Sequence, residues 1–165
     1  MCSSDLAGNH PSKRMDRLHE FWDRMEFYKD NPFASYMAMM GAGVSTANTI
    51  MRGIPGFFKP NTAALFGSKV NLGIEHAAYY STEPLHETLN HLVDMDYLQT
   101  GATRLTVGAV NANTGAMRYF DSREDKLTVD HIRASGALPP AFPAVRIDGE
   151  PYWDGGIYSD RKSVV

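Results

Sequence analysis

The sequence predicts one mixed α/β domain. Three observations carry that expectation. Apolar residues in the first half recur at three- and four-residue steps, the spacing of one helix face. In the second half, short β-prone runs alternate with turn residues. The 165 residues hold no repeat and no low-complexity linker, and a chain of that length buries about two thirds of its unfolded surface in one core.

The first predicted helix runs from Ser12 to Tyr28. Met15, Leu18, Phe21, Trp22 and Met25 share one face, and Arg14, Arg17, Glu20, Asp23 and Arg24 take the other. Ser12 serves as the cap and Asn31-Pro32 ends the unit. A second helix, rich in Ala and Met, is expected over Pro32 to Met51, weakened by Gly41 and Gly43. Gly53 to Pro60, GIPGFFKP, is a turn-rich connector that shows Phe57 and Phe58 to solvent. Asn61 to Ile74 carries no decisive pattern. Thr82 to Val93 reads as a short helix, with Thr82 as cap, Pro84 in the first turn and a stripe of Leu85, Leu89 and Leu92.

Strands follow. Arg104 to Val110 and Ala116 to Phe120 flank the turn Asn113-Thr114-Gly115, so the pair is a hairpin. Val129 to Ser135 is a short helix, and GALPPAFP, Gly136 to Pro143, breaks regular structure. Val145 to Ile147, a turn at Asp148-Gly149, and Pro151 to Trp153 are extended pieces that lead to Asp154.

Composition narrows the function. Sixteen Lys and Arg against nineteen Asp and Glu give a net charge of −3, with no basic footprint for nucleic acid and no polybasic membrane patch. No apolar run is long enough to span a bilayer. The one cysteine, Cys2, allows no internal disulfide. No phosphate-binding loop is present, which removes the common nucleotide sites. Nine methionines and eight phenylalanines are an ample apolar supply, suited to a core and also to a lipid-like ligand.

Asp154 is the first candidate for chemistry. It leaves a strand into Gly155-Gly156, and glycines there permit tight geometry and close approach by another group. A carboxylate at a strand end can orient or deprotonate a partner. The plain alternative is an Asp-Gly turn.

The surrounding residues decide between these. Ala134-Ser135, then Leu138-Pro139-Pro140-Ala141-Phe142-Pro143, then a short hairpin and Asp154-Gly155-Gly156 resemble the closing segment of the patatin-like phospholipase family. AGNHPSKRMDRLHEFWDRM resembles the stretch after the nucleophile helix in a bacterial branch of that family, and RLTVGAVNANTGAMRYFDS its central strand pair. The resemblance covers about Ala7 to Ser159. It implies a three-layer α/β/α sandwich, of which this chain is the C-terminal part, with a helical insert over about residues 31–94. It implies hydrolysis of a lipid acyl ester without a cofactor or metal. The family's machinery is a Ser–Asp dyad, with the serine in a Gly-x-Ser-x-Gly elbow, Asp154 as proton acceptor, and Gly155 and Gly156 shaping its turn. No catalytic histidine is required, so His10, His19, His76, His86, His91 and His131 are expected at the surface or in packing roles.

The chain contains no Gly-x-Ser-x-Gly. The nearest string, Gly43-Val44-Ser45-Thr46-Ala47, follows YMAMM, which reads as helix rather than the strand an elbow needs. The resemblance places the elbow before Ala7 and Ser45 in the insert. The nucleophile is therefore expected outside this chain, and the 165 residues alone are expected to be inactive. Residues 1–6 and 160–165 depart from the family pattern and read as non-native flanks. The expected location is the cytoplasm; because the native N-terminus is expected to be missing, a signal sequence stays open.

Two other classes of function compete with this reading. Asp148, Glu150, Asp154 and Asp160 are close in sequence and their oxygens suit Ca²⁺, but no alternating ligand loop is present. Phe57-Phe58 beside Lys59 suggests a lipid-surface or interaction module with peripheral membrane contact; the competing reading is a buried connector near the active site.

Overall fold

Three leucines at 85, 89 and 92 anchor one of two apolar clusters in the computed structural model, which describes residues 7–25, 52–61 and 78–159. Helix α1, Arg14–Met25, follows a 3-10 turn at Pro11–Lys13. Helix α2 is Glu83–Leu92, α3 is Met95–Gln99, α4 is Val129–Ala134 and α5 is Gly156–Ser159. Strands β1, Lys59–Pro60, and β2, Tyr80–Ser81, form a small antiparallel pair. The main sheet holds β3, Thr106–Asn111, β4, Met117–Asp121, β5, Val145–Ile147, and β6, Glu150–Asp154, in the order β4-β3-β6-β5. Every neighbouring pair in it is antiparallel. The fold is α/β, as the sequence predicts.

Register explains which side chains face inward. Val107 lies opposite Phe120, Ala109 opposite Arg118 and Asp154, and Val145 opposite Tyr152. Because side chains alternate along a strand, Val107, Ala109, Phe120, Tyr152 and Val145 share one face. They form the first cluster with Leu98, Leu105, Leu127, Ala134, Ala137 and Ile147, and α4 packs across it. The second cluster joins Phe21 of α1, the α2 leucines, Val93, and Val129 and Ile132 of α4. Ala7 reaches the first cluster, while Asn9 donates through Nδ2 to the Leu92 carbonyl at 2.8 Å and Asp94 N–H donates to the Gly8 carbonyl at 3.0 Å. The N-terminal segment is thereby tied to the end of α2.

The hairpin forms as predicted, with Asn111 Oδ1 accepting from the N–H groups of Asn113 and Thr114 in its turn. The second hairpin turns on Asp148 and Gly149, both at positive φ (52° and 84°), the geometry of a two-residue primed turn.

Several expectations need correction. Ser12 does not cap α1: its N–H contacts His10 Nδ1, and helical residues begin as a 3-10 turn at Pro11. Within α1 the predicted face is split, since Phe21 is buried but Met15 and Trp22 are 58% and 55% exposed. Thr82 sits at the cap position of α2, but its Oγ1 accepts from Arg133 Nη2 at 3.1 Å instead of capping. Phe57 and Phe58 are half-buried rather than displayed. The helix expected over Pro32 to Met51, with Ser45, and most of Asn61 to Ile74 lie outside the described residues, as do His76 and Asp160.

Candidate active site

Asp154 is the last residue of β6 and is half-buried. Its backbone is held from two sides. It pairs in register with Ala109 of β3, and its N–H donates to the Ala137 carbonyl at 2.9 Å. Ala137 opens the apolar loop that the sequence singles out, so the loop begins directly against the aspartate. The Asp154 Oδ1 accepts from Gly156 N–H at 2.8 Å. Among the described residues no group donates to Oδ2.

The two glycines serve different ends. Gly155 is buried, and a Cβ built on it would lie 3.0 Å from the Gly108 carbonyl oxygen and 2.5 Å from the Met117 methyl. It is a site of close backbone packing. Gly156 is exposed, and the first atom its Cβ would meet is Asp154 Oδ1, at 3.3 Å. Its missing side chain keeps the carboxylate uncovered. The sequence could not separate these roles, because the partner of Gly155 lies on another strand. The contributions of Gly108, Met117 and the Ala137 carbonyl were likewise invisible in it; the small Gly108 inside a β-prone run was the one available signal.

The described histidines lie elsewhere. His10 bonds Ser12 Oγ at 2.8 Å, His86 contacts Asn90, and His91 Nε2 meets Glu20 Oε1 at 3.1 Å. His131 is buried at the start of α4. Its Nδ1 accepts from Thr128 N–H at 3.1 Å and lies 2.8 Å from Thr128 Oγ1, a capping box with histidine in the usual Glu position. Since Nδ1 accepts, the ring proton of the neutral form sits on Nε2. Burial holds the His131 pKa below its ordinary value. Among the described residues no histidine bonds Asp154.

Asp148 and Glu150, the described acidic residues near Asp154 in sequence, are not gathered around it. Glu150 starts β6, about 13 Å along the strand from Asp154. Its Oε2 accepts from Asn113 at 2.9 Å and Asn111 at 3.2 Å. Asp148 occupies the turn beyond. Among the described residues no three His, Cys, Asp or Glu side chains come together as a metal site, and no helix is long and apolar enough to cross a membrane.

Strand β6 thus ends in an aspartate beside Gly155-Gly156, with Ala137 of the apolar loop bonded to its backbone. The family model for patatin-like phospholipase matches residues 6–161. The chain belongs to the patatin-like phospholipase family. No curated protein and no solved structure matches it. Membership points to a hydrolase acting on lipid acyl groups, with lipid as the substrate class. Within this family member, the Ala137 loop and the β3–β6 pairing hold the Asp154 backbone.

Proposed function

We propose that Asp154 is the base of a Ser–Asp dyad that hydrolyses a lipid acyl ester. The single observation that carries this reading is the Asp154 carboxylate itself. One oxygen is fixed by Gly156 N–H, the other takes no donor among the described residues, and the side of the turn at Gly156 is open. Such a group has a set orientation and a vacant acceptor, which a general base needs.

The chemistry balances with one carboxylate. Asp154 Oδ2 takes the serine hydroxyl proton as Oγ attacks the ester carbonyl carbon. The tetrahedral adduct expels the alcohol oxygen, which receives that proton from Asp154. Water then attacks the acyl-serine, giving its proton to Asp154, and the acid leaves as serine regains its hydrogen. The oxyanion in each adduct needs fixed N–H donors. The 165 residues hold no Gly-x-Ser-x-Gly, so in this reading the serine and those donors come from outside them, and the chain alone is inactive.

The test joins the chain to an N-terminal segment carrying the family's elbow serine and follows a short-chain nitrophenyl ester. Asp154→Asn is expected to lower the rate about 10²- to 10⁴-fold, the range for loss of a positioned base. Hydrolysis that survives the substitution would end the dyad reading.

A further inference from the structure

Helix α4 opens on a buried titratable group. His131 is 8% exposed, and its ring meets Phe120 edge to face at 4.5 Å between centroids. Its Nδ1 accepts from Thr128 N–H at 3.1 Å, one of the two bonds of the capping box. The ring also borders a cavity of about 460 Å³ beside the turn between β5 and β6. Charged groups reach that cavity from every side: Arg118 of β4, Asp125 and Lys126 of the loop before α4, Arg146 of β5 and Asp148 of the turn. Asp130 of α4 lines it too, but is paired with Arg133 Nη1 at 2.7 Å. Asp125 Oδ2 accepts from Asp121 N–H at 2.9 Å. Arg118 lies over the Phe120 ring at 4.5 Å and reaches Tyr152 Oη of β6 at 3.5 Å.

Two series of contacts join this histidine to Asp154. Along the backbone, His131 C=O accepts from Ser135 N–H at 3.2 Å, Ala134 C=O from Ala137 N–H at 3.2 Å, and Ala137 C=O from Asp154 N–H at 2.9 Å. Through the core, the His131 ring packs on Phe120, and Phe120 packs on Tyr152 at 5.6 Å. Tyr152 precedes Asp154 by two residues on β6, so the two side chains leave the same face of the sheet.

Protonation changes what the ring can bond. An imidazolium carries hydrogens on both nitrogens and accepts nothing. Its Nδ1 then opposes Thr128 N–H, and that bond is lost; Thr128 Oγ1, 2.8 Å away, is the partner left to it. Asp148 and Asp125 attract the charged ring, while Arg118 repels it. The head of α4 thus has two arrangements, with the capping box closed or half open, and a two-state element of this kind is what couples one site to another. We propose that His131 is a pH-responsive positioning residue for Asp154. Neutral, it fixes the first turn of α4 and, through Ala137, the Asp154 backbone. Protonated, it releases Thr128 N–H and shifts that hold. The consequence for hydrolysis rests on the reading of Asp154 as the base; the coupling itself does not.

The test is an NMR pH titration of the whole chain, read at the backbone amides of Thr128, Ala137 and position 154. It is run in the Asp154→Asn background, which removes that residue's own titration. The three amides are expected to shift together, with the midpoint of the His131 ring signals and below the ordinary imidazole value near 6.5. His131→Gln, which keeps an acceptor for Thr128 N–H, should flatten all three. Asp148→Asn, whose side chain suits the positive φ of 52° there, removes a carboxylate that favours the imidazolium and should move the shared midpoint to lower pH. It decides the matter should His131→Gln fail to fold. A flat amide at position 154 while Thr128 titrates would overturn the proposal and leave His131 a cap of α4 alone. So would a response at position 154 that survives His131→Gln, or a midpoint unmoved by Asp148→Asn. These results stand apart from the dyad: hydrolysis indifferent to Asp154→Asn ends that reading, whereas the amide response alone decides this one.

Discussion

Gly108 and Gly155 face each other across the β3–β6 junction so closely that a Cβ on either would strike the same Met117 methyl, at 2.6 and 2.5 Å. The aspartate that follows β3's central glycine in register is therefore set by backbone contact, with Met117 filling the space two side chains would occupy. This is how a candidate base gains a fixed position near a strand end without a hydrogen-bonding partner such as histidine.

The first prediction tests that contact. Gly155→Ala forces its Cβ against the Gly108 carbonyl and should cost about 1–3 kcal/mol, in the range of overpacked interiors. Gly156→Ala meets the Asp154 carboxylate first, at 3.3 Å, and should change stability by less than about 0.5 kcal/mol. Denaturant titration of both variants checks the contrast.

The second concerns the α-helical core. Leu89 of α2 is fully buried in the cluster it shares with α1 and α4, and Leu89→Ala should cost about 2–5 kcal/mol. Met15→Ala, on the same predicted stripe as Phe21 but exposed, should fall within about 0.5 kcal/mol of the parent. Equal costs would mean that α1 packs through a different face.

The third is a pH dependence. Burial holds His131 below its ordinary value near 6.5, so the unfolded chain binds the proton more readily than the folded one. The stability contributed by neutral His131 is full above that value and is lost as the pH falls below it. Thermal melts should show the decline. His131→Gln keeps an acceptor for Thr128 N–H and should flatten this part of the profile.

The fourth lies lower on the pH scale. Asp121 Oδ1 accepts from Arg123 N–H at 3.0 Å, and its Oδ2 from Arg104 Nε at 2.6 Å and Thr106 Oγ1 at 2.9 Å. The Arg123 N–H first, then Arg104 and Thr106, hold its carboxyl below the ordinary 3.8. Its contribution is present above that value and is lost as the pH falls through the lowered one. Asp121→Asn should lower the melting temperature at neutral pH and remove this acid-range component.

Much of the fold was legible because its signals are local. The leucine stripe of α2, the Asn-Thr-Gly turn and the Asp-Gly turn each depend on residues a few positions apart. The misreadings arose where a distant partner decides. Met15 and Trp22 share the helical stripe with Phe21, but they sit about 100° and about 80° around the helix from the centre of the contact made by Phe21 and Met25. A spacing rule gives a face and not the width that α2 covers. Thr82 has the right residue type for a cap, yet Arg133, fifty-one positions on, takes its hydroxyl. At the site, Asp154-Gly155-Gly156 stood out by order and context. The pairing of β6 with β3 and the hold of Ala137 required chain segments far apart in sequence.

The most direct test of the account is fluorophosphonate labelling with peptide mapping, on the chain joined to an elbow-bearing segment, with and without Asp154→Asn. The account predicts label on the elbow serine, greatly reduced in Asp154→Asn, and none on Ser45. Label on Ser45, or elbow labelling indifferent to Asp154, would contradict it.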